Sequence, residues 1–389
     1  MGSDGEFTRR GALALAGAAG ASGAIAGCLG DGEGEEPPDR TAPLDDSIGG
    51  VRMFQYDPPN TGNAAGLVGP SAAGERFRFD AGAEVRSSPA VSGGTVYVGG
   101  GEALYALDAS DGVPLWTFET DAPVYSSPAV VDGTVYAGTR GDRLYALDAE
   151  DGSERWTFEA NGWVDASPTV TGGTVYAGSR ATDGEVYAID AEDGSERWTF
   201  GTEYRVVTAP AVGDAVYVGG WEGAVYALDP DDGAERWRTG TEGPVLSAVA
   251  LGESVYAGDN SGRVYALGPD DGAERWRVGV GETATTPAVG DSVYVGNGAE
   301  AGGLYALDPD DGAERWRIET DAAVTTAPAV ADGVCVGLGD GGVVSVDPGD
   351  GTERWRFDAD GGVRSTPSIV EGTAYVGSDD GRVYALDDG

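Results

Sequence analysis

Residues 144–156 read LYALDAEDGSERW, and the fold is decided by how often that stretch returns. It recurs as VYAIDAEDGSERW at 186–198 and as VYALDPDDGAERW at 225–237. Further copies begin at Leu104, Val264, Leu304, Val343 and Val383. Seven of the eight copies reach a tryptophan, and successive tryptophans stand 39 to 42 residues apart. A fixed period near 40 makes the chain an array of one small unit, so its 389 residues need not divide into two ordinary domains.

Val124–Glu159 shows what one unit contains. YSSPAVV reads as a short strand with Pro128 near its start, followed by the turn Asp132-Gly133. TVYAG alternates apolar and small residues and reads as a second strand; RLYALDA is the third and ERWTFE the fourth. Four short antiparallel strands per 40 residues is the pattern of a propeller blade, and no amphipathic helix is legible after residue 50. The first strand recurs eight times, at Ser88-Pro89, Ser127-Pro128, Ser167-Pro168, Ala209-Pro210, Ala248-Val249, Thr286-Pro287, Ala327-Pro328 and Thr366-Pro367. The eighth copy of the opening stretch stops at Asp388-Gly389, before any fourth strand. Gly74–Phe79, GERFRF, resembles that missing strand with Phe77 in the tryptophan place. The sequence therefore predicts an all-β fold. It is an eight-bladed β-propeller of four-stranded antiparallel blades, its ring closed by the N-terminal strand 75–79 joining the C-terminal blade.

The motif A-x-D-x-x-x-G-x-x-x-W has a mechanical reading. Asp148 ends a strand and can accept hydrogen bonds from the turn amides that follow. Gly152 offers a left-handed backbone at low steric cost. Trp156 opens the outer strand and can bury its ring between adjacent blades while its N–H finds a carbonyl. Trp116, Trp156, Trp198, Trp237, Trp276, Trp316 and Trp355, with Phe77, are thus expected to be structural docking residues; Trp163 and Trp221 fall outside the register. The motif resembles the tryptophan-docking motif of the pyrroloquinoline-quinone (PQQ) repeat family, over roughly residues 50–389, and Met53–Gly66 resembles that family's entry segment.

The formal net charge is −42, with 66 acidic residues against 24 basic ones, all of them arginine. Such a surface repels nucleic acid and anionic lipid. The acids are spread over every repeat, a composition that resembles proteins of halophilic archaea. The chain has no histidine, which excludes Ser-His-Asp and Cys-His catalysis and histidine-based metal sites. Its two cysteines, Cys28 and Cys335, cannot build a disulfide framework.

Three segments are expected. Residues 1–27 read as a signal: Thr8-Arg9-Arg10 resembles a twin-arginine export signal before a mild apolar run, and Ile25–Cys28 resembles a lipobox, which would make Cys28 the lipidation site. An uncleaved N-terminal anchor is the alternative. Residues 28–49 are acidic and rich in Gly and Pro, a flexible tether, and residues 50–389 are the propeller. The protein is then exported, lipid-anchored at the outer face of the cytoplasmic membrane, and expected to be a monomer.

Binding in a propeller is expected at the funnel lined by the loops into each first strand and between the second and third strands. The positions just before the strand-one prolines vary while the frame repeats: Arg86, Tyr125, Asp165, Val207, Leu246, Ala284, Thr325 and Arg364. Nearby stand Trp163, Arg205, Arg140, Arg180, Trp221, Asn260 and Asn297. The candidate binding residues are Arg86, Tyr125, Trp163, Asp165, Arg205, Trp221 and Arg364. Arg86 and Arg364 lie in neighbouring blades across the closure and could hold an anionic group together. A solvated funnel without a dedicated ligand is the alternative.

Quinoprotein dehydrogenases of the resembled family carry a vicinal cysteine pair and a calcium site. This chain lacks the adjacent cysteines, and Cys335 stands where other repeats have a core tyrosine. Asp165, Asn260 and Asn297 are conceivable calcium ligands that no spacing selects, and DPDDG at 229–233 and 308–312 lacks the distal carboxylate of a calcium loop. No catalytic residue, cofactor or metal is expected. The resemblance lies nearer the BamB-like lipoprotein branch and implies a non-catalytic protein-interaction scaffold with an unknown protein partner at the cell surface. A PQQ-dependent quinoprotein dehydrogenase and a carbohydrate or peptide receptor using Trp163, Tyr125 and Trp221 are the alternatives.

Overall fold

The tyrosine and branched aliphatic side chains of each repeat alternate with small residues, and that pattern builds sheets. The computed structural model describes residues 53–64, 67–300 and 302–389, where strands and turns are present and helices are not. The 32 strands form eight separate four-stranded antiparallel sheets. Blades 1 to 7 begin with inner strands at Ala90, Ala129, Thr169, Ala211, Ala250, Ala288 and Ala329, and each uses four consecutive strands. Blade 8 starts at Ser368 and takes its outer strand from the other end of the chain: Gly74–Asp80 pairs with Arg382–Asp387. The predicted closure is the observed one. The signal, the tether and Cys28 lie outside the described residues.

Blades are joined by the repeated motif. The Trp156 indole N–H of blade 2 donates to the Ala191 carbonyl of blade 3 at 3.1 Å, and the Tyr136 hydroxyl donates to the same carbonyl at 3.2 Å. Gly194 faces that ring with φ +73°, and a Cβ there would stand 2.7 Å from the indole. The same indole bond runs from Trp116 to Ala149, Trp198 to Pro230, Trp237 to Pro269, Trp276 to Pro309 and Trp316 to Pro348. Two junctions differ. Trp355 donates to the Pro70 carbonyl at 2.7 Å rather than to a carbonyl of the eighth copy. Phe77 fills the tryptophan place against Gly112 of blade 1, where Tyr375 alone donates to the Ala109 carbonyl, at 3.1 Å. Asp388 anchors this seam by accepting from the amides of Ser71 and Ala72.

The outer strand carries a bulge in every blade. In blade 2 the pairing jumps from Ala146–Trp156 to Leu147–Glu154, leaving Arg155 without an opposite residue. The bulge lets Arg155 turn back onto Asp148, at 2.7 Å, and Thr134, at 2.6 Å. Asp148 Oδ1 meanwhile accepts from the Glu150 amide, as the sequence suggests. Blade 5 departs: Gly268 replaces the aspartate, and Arg275 keeps only its bonds to the Glu253 carbonyl and the Ser254 hydroxyl.

Around the axis, inner strands are linked through hydroxyls. The Ser88 amide donates to Ser127, the Ser127 amide to Ser167, and across the seam the Thr366 amide to Ser88. At the far ends of the inner strands lies the entry segment, residues 53–64. The amides of Val212, Leu251, Val289 and Val330, in blades 4 to 7, donate to the carbonyls of Pro58, Pro59, Thr61 and Gly62. The Asn60 side chain is fully buried and donates to the carbonyls of Ala209 and Pro210. Tyr56 reaches blade 8, where its hydroxyl accepts from the Ile369 amide at 3.0 Å, and Met53 packs in the cluster of blades 2 and 3. A segment touching inner strands on all these sides occupies the axis, so it caps the channel at the end where the inner strands finish.

Candidate functional site

The opposite end of the axis, where the inner strands begin, carries the loops that vary from repeat to repeat. In blades 8 and 1 to 4 these loops bring arginines and aromatic rings into one arc. Arg364 Nε donates to Asp379 Oδ2 at 2.8 Å, and Arg86 Nε donates to Asp379 Oδ1 at 3.0 Å. Arg86 also pairs with Glu84 at 2.9 Å and lies 5.4 Å from the Tyr125 ring centre. Arg140 stands over the other neighbour of that site, 4.2 Å from Tyr125 and 4.9 Å from Trp163. Its fork binds Asp165 through two bonds, at 3.0 and 3.2 Å. Arg180 donates to the same carboxylate at 2.9 Å and lies 5.7 Å from Trp163 and 5.9 Å from Trp221. Arg205 ends the arc, 5.4 Å from Trp221.

All seven candidate residues named from the sequence fall on this arc. The group that Arg86 and Arg364 hold together is the chain's own Asp379, which sequence reading missed. Asp379 sits in the loop between second and third strands, the place of Arg140 and Arg180, but one aspartate among 66 acids carries no signal of its own. Tyr204, beside Arg205 and 51 % exposed, was missed as well; Trp163 is 43 % exposed. The remaining variable positions do not join the arc. Leu246, Thr325 and the buried Ala284 belong to the loops of blades 5 to 7, and there Thr325 donates to the Val363 carbonyl. Asn260 accepts from Thr283 at 3.3 Å, and Asn297 is buried.

The arrangement is therefore a row of guanidinium groups stacked on rings and steadied by two carboxylates. Arginine on an aromatic face keeps its N–H donors directed outward in the ring plane's surroundings, where they can meet oxygen acceptors. The carboxylates of Asp165 and Asp379 are each held by two arginines, which leaves little of their lone-pair capacity for a cation needing six to eight oxygens. Among the described residues no three His, Cys, Asp or Glu side chains gather as a metal site. Cys335 lies fully buried in blade 7, and burial pushes its thiol pKa well up. These residues do not fit a calcium-held quinone built on a vicinal cysteine pair.

No curated protein sequence matches the chain. Solved structures do. The quinohemoprotein alcohol dehydrogenase ADHIIG of Pseudomonas putida HK5 superposes with a TM-score of 0.75 at 16 % identity, covering 88 % of this chain and 80 % of that one. BamB of Moraxella catarrhalis gives 0.68 at 19 % identity, over 81 % of this chain and 99 % of that one. A europium-containing methanol dehydrogenase gives 0.71 at 15 % identity, over 88 % and 99 %. At these identities the likeness is one of fold. The family described as outer membrane protein assembly factor BamB matches residues 65–198, 120–249, 182–267 and 260–389. By those matches, which together run from residue 65 to residue 389, the chain belongs to the family of PQQ-type propeller repeats described as outer membrane protein assembly factor BamB.

Proposed function

We propose that this protein is an exported, lipid-anchored propeller that works by binding another protein, without catalysis. The observation that carries the reading is the arc itself: specialised side chains are confined to the funnel face, while the frame beneath repeats. The family's description as an assembly factor and the fold shared with Moraxella BamB support a protein partner. The likeness of Thr8-Arg9-Arg10 to a twin-arginine signal and of Ile25–Cys28 to a lipobox supports export and anchoring.

The test is affinity capture from solubilised membranes at the salt concentration of the host. Wild-type protein should recover a partner in constant ratio, and Arg140→Glu with Trp163→Ala should lose it. Recovery of the protein alone, or of the same partner by the double variant, would overturn the reading. PQQ and Ca²⁺ are left out of it because the carboxylates of the funnel are engaged by arginines. Titrating both into purified protein should leave the absorbance unchanged and reduce no dye. A quinone spectrum with dye reduction would establish the dehydrogenase instead.

A further inference from the structure

The arc has a polarity that the rest of the molecule lacks. With 66 acidic and 24 basic residues, nearly every arginine can be neutralised nearby, and on the outer strands the repeated Arg–Asp pairs do this. In the arc the ratio inverts. Arg86, Arg140, Arg180 and Arg364 share Asp165, Asp379 and Glu84, and Arg205 is a fifth arginine with no carboxylate of its own. The Arg205 guanidinium makes neither a hydrogen bond nor an ion pair among the described residues; it rests on Trp221, whose amide donates to the Arg205 carbonyl, and is exposed. Beside it Tyr204 and, one blade away, Trp163 are two of the four large apolar side chains that stand exposed among the described residues. The arc of blades 8 and 1 to 4 is thus cationic and aromatic, whereas the corresponding loops of blades 5 to 7 carry no arginine and include Glu242, Asp259, Glu282 and Asp340.

We propose that this arc binds an extended acidic segment of a polypeptide, laid across blades 8 and 1 to 4, with an apolar side chain seated between Tyr204 and Trp163. The inference deepens the reading of the funnel as the binding face and rests on it. Three observations select a peptide. The guanidinium groups are separated by rings and interrupted by Asp165 and Asp379, so they match carboxylates spaced along a chain. A nucleic acid, with one charge per ~1.7 Å of duplex, would press phosphates against Asp165 and Asp379, which side chains spaced along a peptide can straddle. The rings of Tyr125 and Trp163 already carry guanidinium groups, which leaves less free face for stacking a sugar. Arginine forks then take carboxylates through charge-assisted hydrogen bonds.

The experiment uses full-length protein and a fluorescein-labelled peptide of alternating Glu and Ser with one central Leu. Anisotropy is read at 0.15 M and 1 M KCl. The acidic peptide should bind, and its Gln-for-Glu counterpart should bind at least tenfold more weakly. Arg205→Ala should weaken the acidic peptide about fivefold with an unchanged melting temperature, since Arg205 holds nothing else together. Arg277→Ala, on an outer strand away from the arc, should change nothing. Equal binding of the Gln peptide, no binding of the acidic one, or indifference to Arg205→Ala would overturn the inference. So would preference for polygalacturonate or a single-stranded oligonucleotide over the peptide. Each of these outcomes leaves the capture experiment on the scaffold reading standing or falling by itself.

Discussion

At Gly194 two demands meet on one residue. Its φ of +73° suits glycine, and the docked indole of Trp156 occupies the space of a Cβ. Gly194→Ala should therefore cost roughly 2–4 kcal/mol, the sum of backbone strain and overpacking, as read by chemical denaturation. The neighbouring aspartates make a pH prediction. The Arg155 guanidinium, with the turn amides, holds Asp148 below the ordinary carboxylate range, and Arg197 does the same for Asp190. A carboxyl whose pKa is lowered by folding binds its proton more readily in the unfolded chain. Its stabilisation is complete above the ordinary value of 3.8 and fades as pH falls through the lower folded value. Asp148→Asn should thus lower the melting temperature by a constant amount above about pH 5, and the gap to wild type should close below it. A gap that persists unchanged at pH 2 would remove the charge from the explanation. The motif's chemistry was readable residue by residue because it recurs in register. The bulge at Arg155 was not readable, because strict alternation along ERW hides the skipped pairing.

Among the elements, the strand Gly74–Asp80 is the informative one. Its sequence likeness to the other outer strands placed it, and its pairing with Arg382–Asp387 follows the expectation. Deleting residues 74–79 leaves the edge of blade 8 open and Gly112 undocked, so the melting temperature should fall sharply. Phe77→Trp should act the other way. The Ala109 carbonyl that accepts from Tyr375 is in the place where blades 2 to 7 also receive an indole N–H. A rise of a few degrees in melting temperature is expected, and a fall would mean that the Phe77 site has shrunk around its smaller ring. The entry segment was recognised as an entry segment only. Its passage along the axis depends on carbonyls of Pro58, Pro59, Thr61 and Gly62 meeting four separate blades, which no local pattern announces.

For the whole molecule the charge of −42 dominates. Self-repulsion favours the expanded chain, and added salt shortens its range from ~10 Å at 0.1 M to ~3 Å at 1 M. The melting temperature should rise steadily with KCl over that interval; a flat response would show that the acids are neutralised locally. The blade count, the ring and its seam were legible because they repeat or visibly fail to repeat. The binding arc was legible only as an inventory. Which arginine stacks on which ring depends on loops of successive blades meeting across the funnel, as Arg140 does with Trp163, and such meetings leave no trace in either loop alone.

The seam also sets a timetable. Gly74 pairs with Asp387, and Pro70 waits on Trp355, so the earliest of the described strands is among the last to find its partner. At ~5–20 residues per second, a ribosome needs on the order of tens of seconds to deliver the partner. Through that interval Gly74–Asp80 is a lone strand, and the charges of Glu75, Arg76 and Arg78 discourage it from pairing with neighbours on the same polysome. Without Arg382–Asp387 the strand Gly74–Asp80 has no partner and blade 8 stays open, so closure of the ring is withheld until both ends of the propeller have been made.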